Sequence, residues 1–105
     1  MKYPPFSRIL RIVASSAQRE AGMEVLKELK KRILLSLEKH DAVKMDLLGP
    51  VAAPLSKLKT VWRHHLLIKC ARAGELNALM KYLQAQIPNS KKFRIAFDMD
   101  PQDML

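Results

Sequence analysis

The sequence predicts an α+β domain with the element order β-α-β-β-α-β, a split βαβ (ferredoxin-like) sandwich with two helices on one face of a four-stranded antiparallel sheet. Two observations favour this fold. Four short segments have the β-branched and aromatic residues or the apolar alternation typical of strands, and two segments between them repeat apolar residues at helical spacing. In addition, the length of 105 residues is that of a single domain, and no low-complexity tract interrupts it.

The first strand is predicted over residues 8–14, a short β-branched run. Ser15 follows, and Gln18 stands three residues later, which is the spacing of a capping box and predicts the start of the first helix. The apolar stripe of this helix consists of Gly22, Leu26, Leu29, Ile33 and Leu37.

The second half of the chain repeats this order. Residues 44–48 predict a second strand that ends at Gly49-Pro50, followed by a loop that carries prolines and lysines. A third strand is predicted over about residues 61–70, and residues 92–98 alternate as a fourth strand. The second helix has apolar residues at helical spacing and ends at Pro88; these residues are Leu76, Leu79, Met80, Leu83 and Ile87.

One face of such a sheet stays uncovered, and strand alternation predicts which side chains point there. We expect basic residues mixed with apolar ones on this face: Arg11, Arg63, Lys69 and Arg94 around Ile9, Val13 and Leu67. Such a surface suits phosphate contacts with packing against a sugar or base, or else docking of another domain. It lacks the paired exposed aromatics of an RRM.

The net charge is the compositional feature that most restricts function. With 19 Lys+Arg against 10 Asp+Glu, the chain carries a formal charge of +9 and attracts polyanions. Nucleic acid is the first candidate partner, ahead of an acidic protein tail or an anionic membrane; a surplus for solubility is the alternative. Lys57, Lys59 and Arg63 concentrate charge around Trp62, which either stacks on a base or fills the edge of the core.

The sequence gives little indication of catalysis or of metal binding. Cys70 is the single cysteine, and His64 and His65 are adjacent in a strand, so they point to opposite faces and do not share an ion. No glycine-rich phosphate loop or catalytic triad is recognisable. Asp98 and Asp100 are expected to cap the end of the fourth strand. We therefore expect no enzyme activity, metal or cofactor in this chain, and a cytoplasmic location, since no signal peptide or membrane span is evident.

Four motifs in order resemble one known family. They are Tyr3-Pro4-Pro5-Phe6, Leu48-Gly49-Pro50 with Ala53-Pro54, Arg63 before Leu66-Leu67-Ile68-Lys69, and Phe97-Asp98-Met99-Asp100-Pro101. The chain from Tyr3 to Leu105 resembles the C-terminal domain of the primosomal protein N′ family, the bacterial replication-restart helicases.

The resemblance implies that the chain is a fragment of an ATP-dependent 3′-to-5′ DNA helicase that acts at stalled forks. Residues 1–6 would then be a linker from the helicase core and residues 7–105 a single C-terminal α+β domain, while ATP, magnesium and zinc would bind elsewhere in the parent protein. A free-standing ribosomal-type RNA-binding protein is the alternative.

In that family the domain contributes to DNA binding and lies near the pocket for the acidic tail of single-stranded-DNA-binding protein. The implied partners are single-stranded or forked DNA, that protein and the helicase core of the same chain, in a cytoplasmic, nucleoid-associated setting without a membrane. Lys57, Arg63 and Lys69 match the basic positions, and Arg72 and Asn77 are assigned to tail docking. This chain has Ala71-Arg72-Ala73 where the family often has Pro-Ser and a basic residue, so Arg72 would act from a shifted position.

Overall fold

A single antiparallel sheet with the strand order β2-β3-β1-β4 carries the fold. The computed structural model describes residues 8–39, 44–58, 61–87 and 90–100. Its elements are β1 (Arg8–Ser16), α1 (Ala21–Glu38), β2 (Met45–Leu58), β3 (Val61–Cys70), α2 (Ala73–Gln86) and β4 (Arg94–Met99). The predicted β-α-β-β-α-β order and the four-stranded antiparallel sheet are confirmed.

The core lies between the two helices and one face of the sheet. Alternate residues of the central strands β1 and β3 enter it, as strand period two predicts, and they meet the apolar stripes of both helices. The fully buried large side chains are Leu10, Ile12, Leu26, Ile33, Leu66, Ile68, Leu76 and Leu83. Each contributes roughly 1.5–3 kcal/mol relative to an exposed position, so the predicted inward residues anchor the sheet and fix its other face outward.

The edge strand β2 is longer than predicted. It does not end at Gly49-Pro50 but continues to Leu58, with register shifts against β3 between Leu48 and Val51 and again between Ala52 and Lys57. Proline removes a backbone donor, and an edge strand tolerates that loss because one of its sides lacks a partner. The expected loop is therefore one arm of a bulged hairpin.

The bulge at Gly49 contacts both the adjacent strand β3 and the helix α1. Gly49 has φ +101°, and a Cβ placed on it would lie 2.9 Å from the carbonyl oxygen of His65. The carbonyl oxygen of Gly49 accepts a hydrogen bond from Lys30 Nζ of α1 at 2.7 Å. The Gly49–Pro50 peptide is cis. Glycine is required here because a side chain would need both a left-handed backbone and space that β3 occupies.

The first helix starts later than predicted, and the capping-box assignment was wrong. Ser15 remains in β1, paired with Arg63 on one side and Arg94 on the other. The helix begins at Ala21 behind Glu20, which makes no side-chain cap hydrogen bond. Ser16 provides the local hydrogen bonds instead: its Oγ accepts from the backbone N–H of Gln18 at 2.9 Å and donates to the carbonyl oxygen of Lys92. A serine hydroxyl satisfies a turn as readily as a helix end.

Some predicted features differ in extent or lie outside the described residues. The fourth strand begins at Arg94 rather than at residue 92. Residues 1–6, Lys59 and Pro88 fall outside the described ranges. Within those ranges, neither helix combines the length and apolar character that crossing a bilayer requires.

Candidate nucleic-acid interface

The uncovered face of the sheet is built from rows of cross-strand neighbours, because directly opposed residues of antiparallel strands share a face. The rows are Asp46–Lys69–Ile9, Leu48–Leu67–Arg11–Asp98, Val51–His65–Val13–Ala96 and Arg63–Ser15–Arg94. All four arginines and lysines predicted for this face lie on it. We call the last of these rows the arginine row.

Positive charge is not even along this face. Arg11 forms an ion pair with Asp98 at 2.9 Å, and only 13% of its side chain is exposed. Lys69 stands opposite Asp46 in the ladder. The arginine row contains no carboxylate, and neither of its arginines forms an ion pair within the described parts of the chain. The cationic potential of the open face is therefore concentrated at the Arg63 and Arg94 end.

The middle of the face is neutral and more buried than predicted. Val13 was expected to be exposed but is only 6% exposed, and His65 beside it is 7% exposed, since both lie in the central strands with a neighbour on each side. Burial, with smaller contributions from the charges of Arg11 and Arg63, lowers the pKa of His65. A proton on this imidazole is thus disfavoured in the fold, and stability falls as pH drops through the unfolded value of about 6.5.

A cleft of about 640 Å³ adjoins the arginine row at the end of the sheet. Its lining combines cations, hydroxyls and a few apolar groups, and none of the lining residues is acidic: Ser15, Ser16, Ala17, Val61, Ser90, Lys91, Lys92, Phe93 and Arg94. Sequence reasoning missed Lys91 and Lys92. The available signal was the Ser90-Lys91-Lys92 run, of which only Lys92 entered the prediction, as the first residue of the fourth strand.

His64, His65 and Trp62 lie on the faces of the sheet that strand alternation predicts. His64 lies on the helix side, against Gly22, whereas His65 is on the open face. Trp62 is also on the helix side, half-buried, with the Arg19 guanidinium 5.3 Å from its ring centroid. The arginine occupies a ring face on which a base would stack, and base stacking on Trp62 stays a prediction.

Two other predicted basic positions lie near opposite ends of β3. The backbone of Lys57 pairs with that of Trp62 near the turn of the β2–β3 hairpin. Arg72 precedes α2, beyond the far end of β3. The structure therefore brings together Arg63 and Arg94, with Arg11 and Lys69 further along the same face, and it leaves Arg72 apart.

Arg72 borders an apolar groove between the two helices. Its side chain is 79% exposed, with Nη1 3.8 Å from Glu75 Oε2. Glu75 lines a groove of about 310 Å³ together with Ile33, Leu37, Met45, Ala78, Leu79, Ser36 and Tyr82. Asn77 is exposed but lies around the helix from Glu75 and Ala78, since successive residues turn by about 100°. Asn77 is therefore not among the residues that line this groove.

Cys70 is buried and faces Glu75, whose Oε1 is 3.4 Å from its Sγ. Burial raises the pKa of this thiol, so it stays protonated at neutral pH and is a poor nucleophile. In the part of the chain that the structure describes, no three His, Cys, Asp or Glu side chains are arranged to hold a metal ion.

Comparison with known proteins agrees with the sequence motifs. Residues 1–102 match the family described as "Primosomal protein N C-terminal domain". The chain is also 29% identical over 105 residues to "Replication restart protein PriA" of Haemophilus influenzae; the match covers 99% of this chain and 14% of the relative. The chain thus spans a small part of that relative's length. Since the family match extends through both helices and all four strands, the chain belongs to the primosomal protein N C-terminal domain family.

Proposed function

We propose that this chain is an accessory nucleic-acid-binding domain of an ATP-dependent replication-restart helicase, and that it binds single-stranded or forked DNA. The observation that carries the proposal is the arginine row, in which Arg63 and Arg94 flank Ser15 with no carboxylate among them. The printed name of the Haemophilus influenzae relative, a replication restart protein, supports DNA as the polyanion. The ATPase core, its 3′-to-5′ polarity and a cytoplasmic, nucleoid-associated setting belong to the same proposal.

The geometry of the row suits a phosphate backbone. Arg63 and Arg94 stand on strands that flank β1, so their Cα atoms are about 10 Å apart across two strand spacings. Guanidinium groups on such side chains reach adjoining phosphates and bind them with paired hydrogen bonds. The apolar neighbours further along the face supply packing rather than base-specific hydrogen bonds. We therefore expect binding that depends on salt and only weakly on sequence.

A titration of labelled DNA tests this proposal. Fluorescence anisotropy with a single strand and with a forked duplex, at ~50 mM and ~200 mM salt, should show affinity that falls steeply as salt rises. Arg63→Glu/Arg94→Glu should weaken binding by roughly a hundredfold, because two charge-assisted contacts of about 1.5 kcal/mol or more are lost. The matched control Lys27→Glu/Lys31→Glu changes the net charge by the same amount, but on the exposed side of α1.

Three results would count against DNA binding at this row. They are no binding by the unsubstituted chain at low salt, equal loss in both double variants, and retention of affinity by the arginine variant. A single-stranded RNA of the same length belongs in the same titration. Clear preference for RNA would favour the ribosomal-type alternative over a DNA-restart role.

A second proposed function is binding of an acidic peptide with an aromatic end, such as the tail of single-stranded-DNA-binding protein. The groove between the helices favours this function. An apolar groove lined by half-exposed Tyr82 lies beside the well-exposed cation Arg72. This arrangement offers a pocket for an apolar side chain and a charge for a carboxylate. The proposal rests on Arg72 and Tyr82, because Asn77, which the resemblance also assigns to docking, is not among the residues that line the groove.

Peptide titrations separate this second function from the first. Arg72→Glu should abolish binding of an acidic, aromatic-ended peptide while leaving DNA affinity within about twofold, because Arg72 stands beyond the far end of β3 from the arginine row. Equal loss of peptide and DNA would show instead that one anion surface serves both ligands. Undiminished peptide binding by the variant would contradict docking at Arg72.

A further inference from the structure

We propose that a single-stranded nucleic-acid backbone continues from the arginine row over the end of the sheet, into the cleft formed by the turn before β4, where Lys91 and Lys92 bind its next phosphates. This inference rests on the proposed function. It adds a second phosphate site on residues that neither the sequence motifs nor the open face indicated.

The two sites are contiguous because they share residues. Ser15 and Arg94 belong to the arginine row, and both also line the cleft. A backbone held by Arg94 on the open face therefore has its next phosphates within reach of the cleft. Phosphates on the side of Arg11 would instead approach Asp98, which is half exposed. The sign of the charges thus favours a path towards the cleft rather than along the face.

The lining of the cleft matches the chemistry of a phosphodiester. Lys91, Lys92 and Arg94 provide positive charge, and Ser15 and Ser90 provide hydroxyls that can donate to anionic oxygens. Ala17, Val61 and Phe93 give apolar wall against which a sugar or base packs. With no acidic residue in the lining, a bound phosphate meets no repulsion from a carboxylate there.

The turn that carries the two lysines is held in place by its own hydrogen bonds. The backbone N–H of Lys92 donates to Ser90 Oγ at 3.0 Å, and Ser16 Oγ donates to the carbonyl oxygen of Lys92. These bonds fix the turn against the end of β1 while both lysine side chains stay exposed. Binding therefore orders two side chains and not a segment of backbone, which reduces its entropic cost.

Trp62 offers an intrinsic reporter of occupancy. It is the only tryptophan of the chain, it follows Val61 of the cleft lining, and Arg19 lies over its ring. A phosphate bound in the cleft would lie at the same cationic end of the molecule as Arg19 and Trp62. Its charge should therefore change the environment of the indole. We expect the emission of Trp62 to change when a single strand binds, and this change should be lost when the lysines are removed.

The test compares salt slopes of three variants with the unsubstituted chain, using labelled oligodeoxythymidine. Lys91→Ala/Lys92→Ala should weaken binding at ~50 mM salt about fivefold or more and reduce the slope of log affinity against log salt by about 1.4, or 0.7 for each lost phosphate contact. Lys91→Arg/Lys92→Arg should restore both values. Lys27→Ala/Lys31→Ala removes equal charge from the outer side of α1 and should leave the slope unchanged. Thermal melting confirms that every variant is folded.

The outcomes separate the two proposals. If the unsubstituted chain does not bind the strand, the proposed function fails and this inference fails with it. If Arg63→Glu/Arg94→Glu abolishes binding while Lys91→Ala/Lys92→Ala keeps the original affinity and slope, the cleft proposal is overturned and the proposed function stands. Equal losses in the Lys27/Lys31 and Lys91/Lys92 variants would also overturn it, since they would show a general charge effect.

Discussion

Asp100 closes the sheet at the end opposite the arginine row. Its Oδ1 accepts a hydrogen bond from the backbone N–H of Ile9 at 2.9 Å, its own N–H donates to the carbonyl oxygen of Ile9 at 2.6 Å, and its carboxylate forms an ion pair with Arg8. The hydrogen bond from Arg8, followed by that from Ile9, lowers the pKa of Asp100. One residue thus joins the end of β4 to the start of β1, as predicted for Asp100, whereas Asp98, predicted to share this role, lies within β4 and pairs with Arg11.

We expect Asp100→Asn to destabilise the fold in a pH-dependent way. Because the folded-state pKa lies below the unfolded value of about 3.9, the ionised carboxylate stabilises the fold above that pH, and this contribution disappears as pH falls through the folded value. Thermal melts should show a lower Tm for the variant at neutral pH, and the two values should converge as pH falls through the folded-state pKa of Asp100. The exposed Glu38→Gln is the control; a pH-independent deficit in Asp100→Asn would contradict the role of the charge.

Two glycines allow a matched test of backbone strain. Gly49→Ala requires a left-handed backbone at φ +101° and a Cβ 2.9 Å from a β3 carbonyl oxygen, whereas a Cβ on Gly74 of α2 meets nothing within 4 Å. Chemical denaturation should show a loss of about 1–3 kcal/mol for Gly49→Ala and a gain of up to about 1 kcal/mol for Gly74→Ala. Similar values for the two variants would contradict the assigned bulge.

At the scale of elements, two neighbouring residues of α2 have different surroundings: one packs in the core and the other lines the proposed docking groove. Leu83 is fully buried in the core, whereas its neighbour Tyr82 is 45% exposed and lines the groove between the helices. Helical geometry turns adjacent residues by about 100°, so one helix both packs against the sheet and lines the groove proposed for docking. The edge strand β2 has a similar division, with core residues before its bulge and a hairpin arm after it.

Substitution of the two adjacent residues should therefore give contrasting results. Leu83→Ala leaves a cavity and should cost about 2–5 kcal/mol of unfolding free energy. Tyr82→Ala should cost less than about 1 kcal/mol but should weaken the binding of the acidic, aromatic-ended peptide. Denaturation curves and peptide titrations on both variants check this; peptide affinity unchanged in Tyr82→Ala would contradict the groove as the docking site.

At the scale of the whole molecule, the charge of +9 acts on folding and binding in opposite directions. Like charges within one domain repel each other in the folded state, and salt screens this repulsion. Binding to a polyanion weakens under the same change, because counterion release becomes less favourable. The cations proposed to bind nucleic acid therefore lower the stability of the fold when no ligand is bound.

Raising salt from ~50 mM to ~200 mM should thus increase the Tm of the unliganded chain by a few degrees while it weakens DNA affinity by a large factor. Calorimetry and anisotropy in the same buffers check both signs. If single-stranded DNA binds the folded chain at the arginine row, as proposed, it should also raise the Tm at low salt. A Tm that falls with salt would show that attractive ion pairs outweigh repulsion in this domain.

Local sequence predicted most of the fold and less of the candidate site. The inward faces of β1, β3 and both helices followed from periods of two and 3.6, because burial repeats with the geometry of each element. The start of α1 was predicted wrongly because Ser16, which neighbours the expected cap Ser15, satisfies a turn through Lys92, a contact distant in sequence. The course of β2 depended on its place at the sheet edge, which local composition does not reveal.

The sequence by itself determined the family, the order of the elements, the excess of positive charge and the side of each strand on which that charge lies. Only the tertiary structure decided which charges remain available. Ladder register placed Asp98 beside Arg11 and Asp46 opposite Lys69, and it left Arg63 and Arg94 together around Ser15. The physical reason is that electrostatic interaction depends on distances through space, and these are set by pairing between segments far apart in the chain.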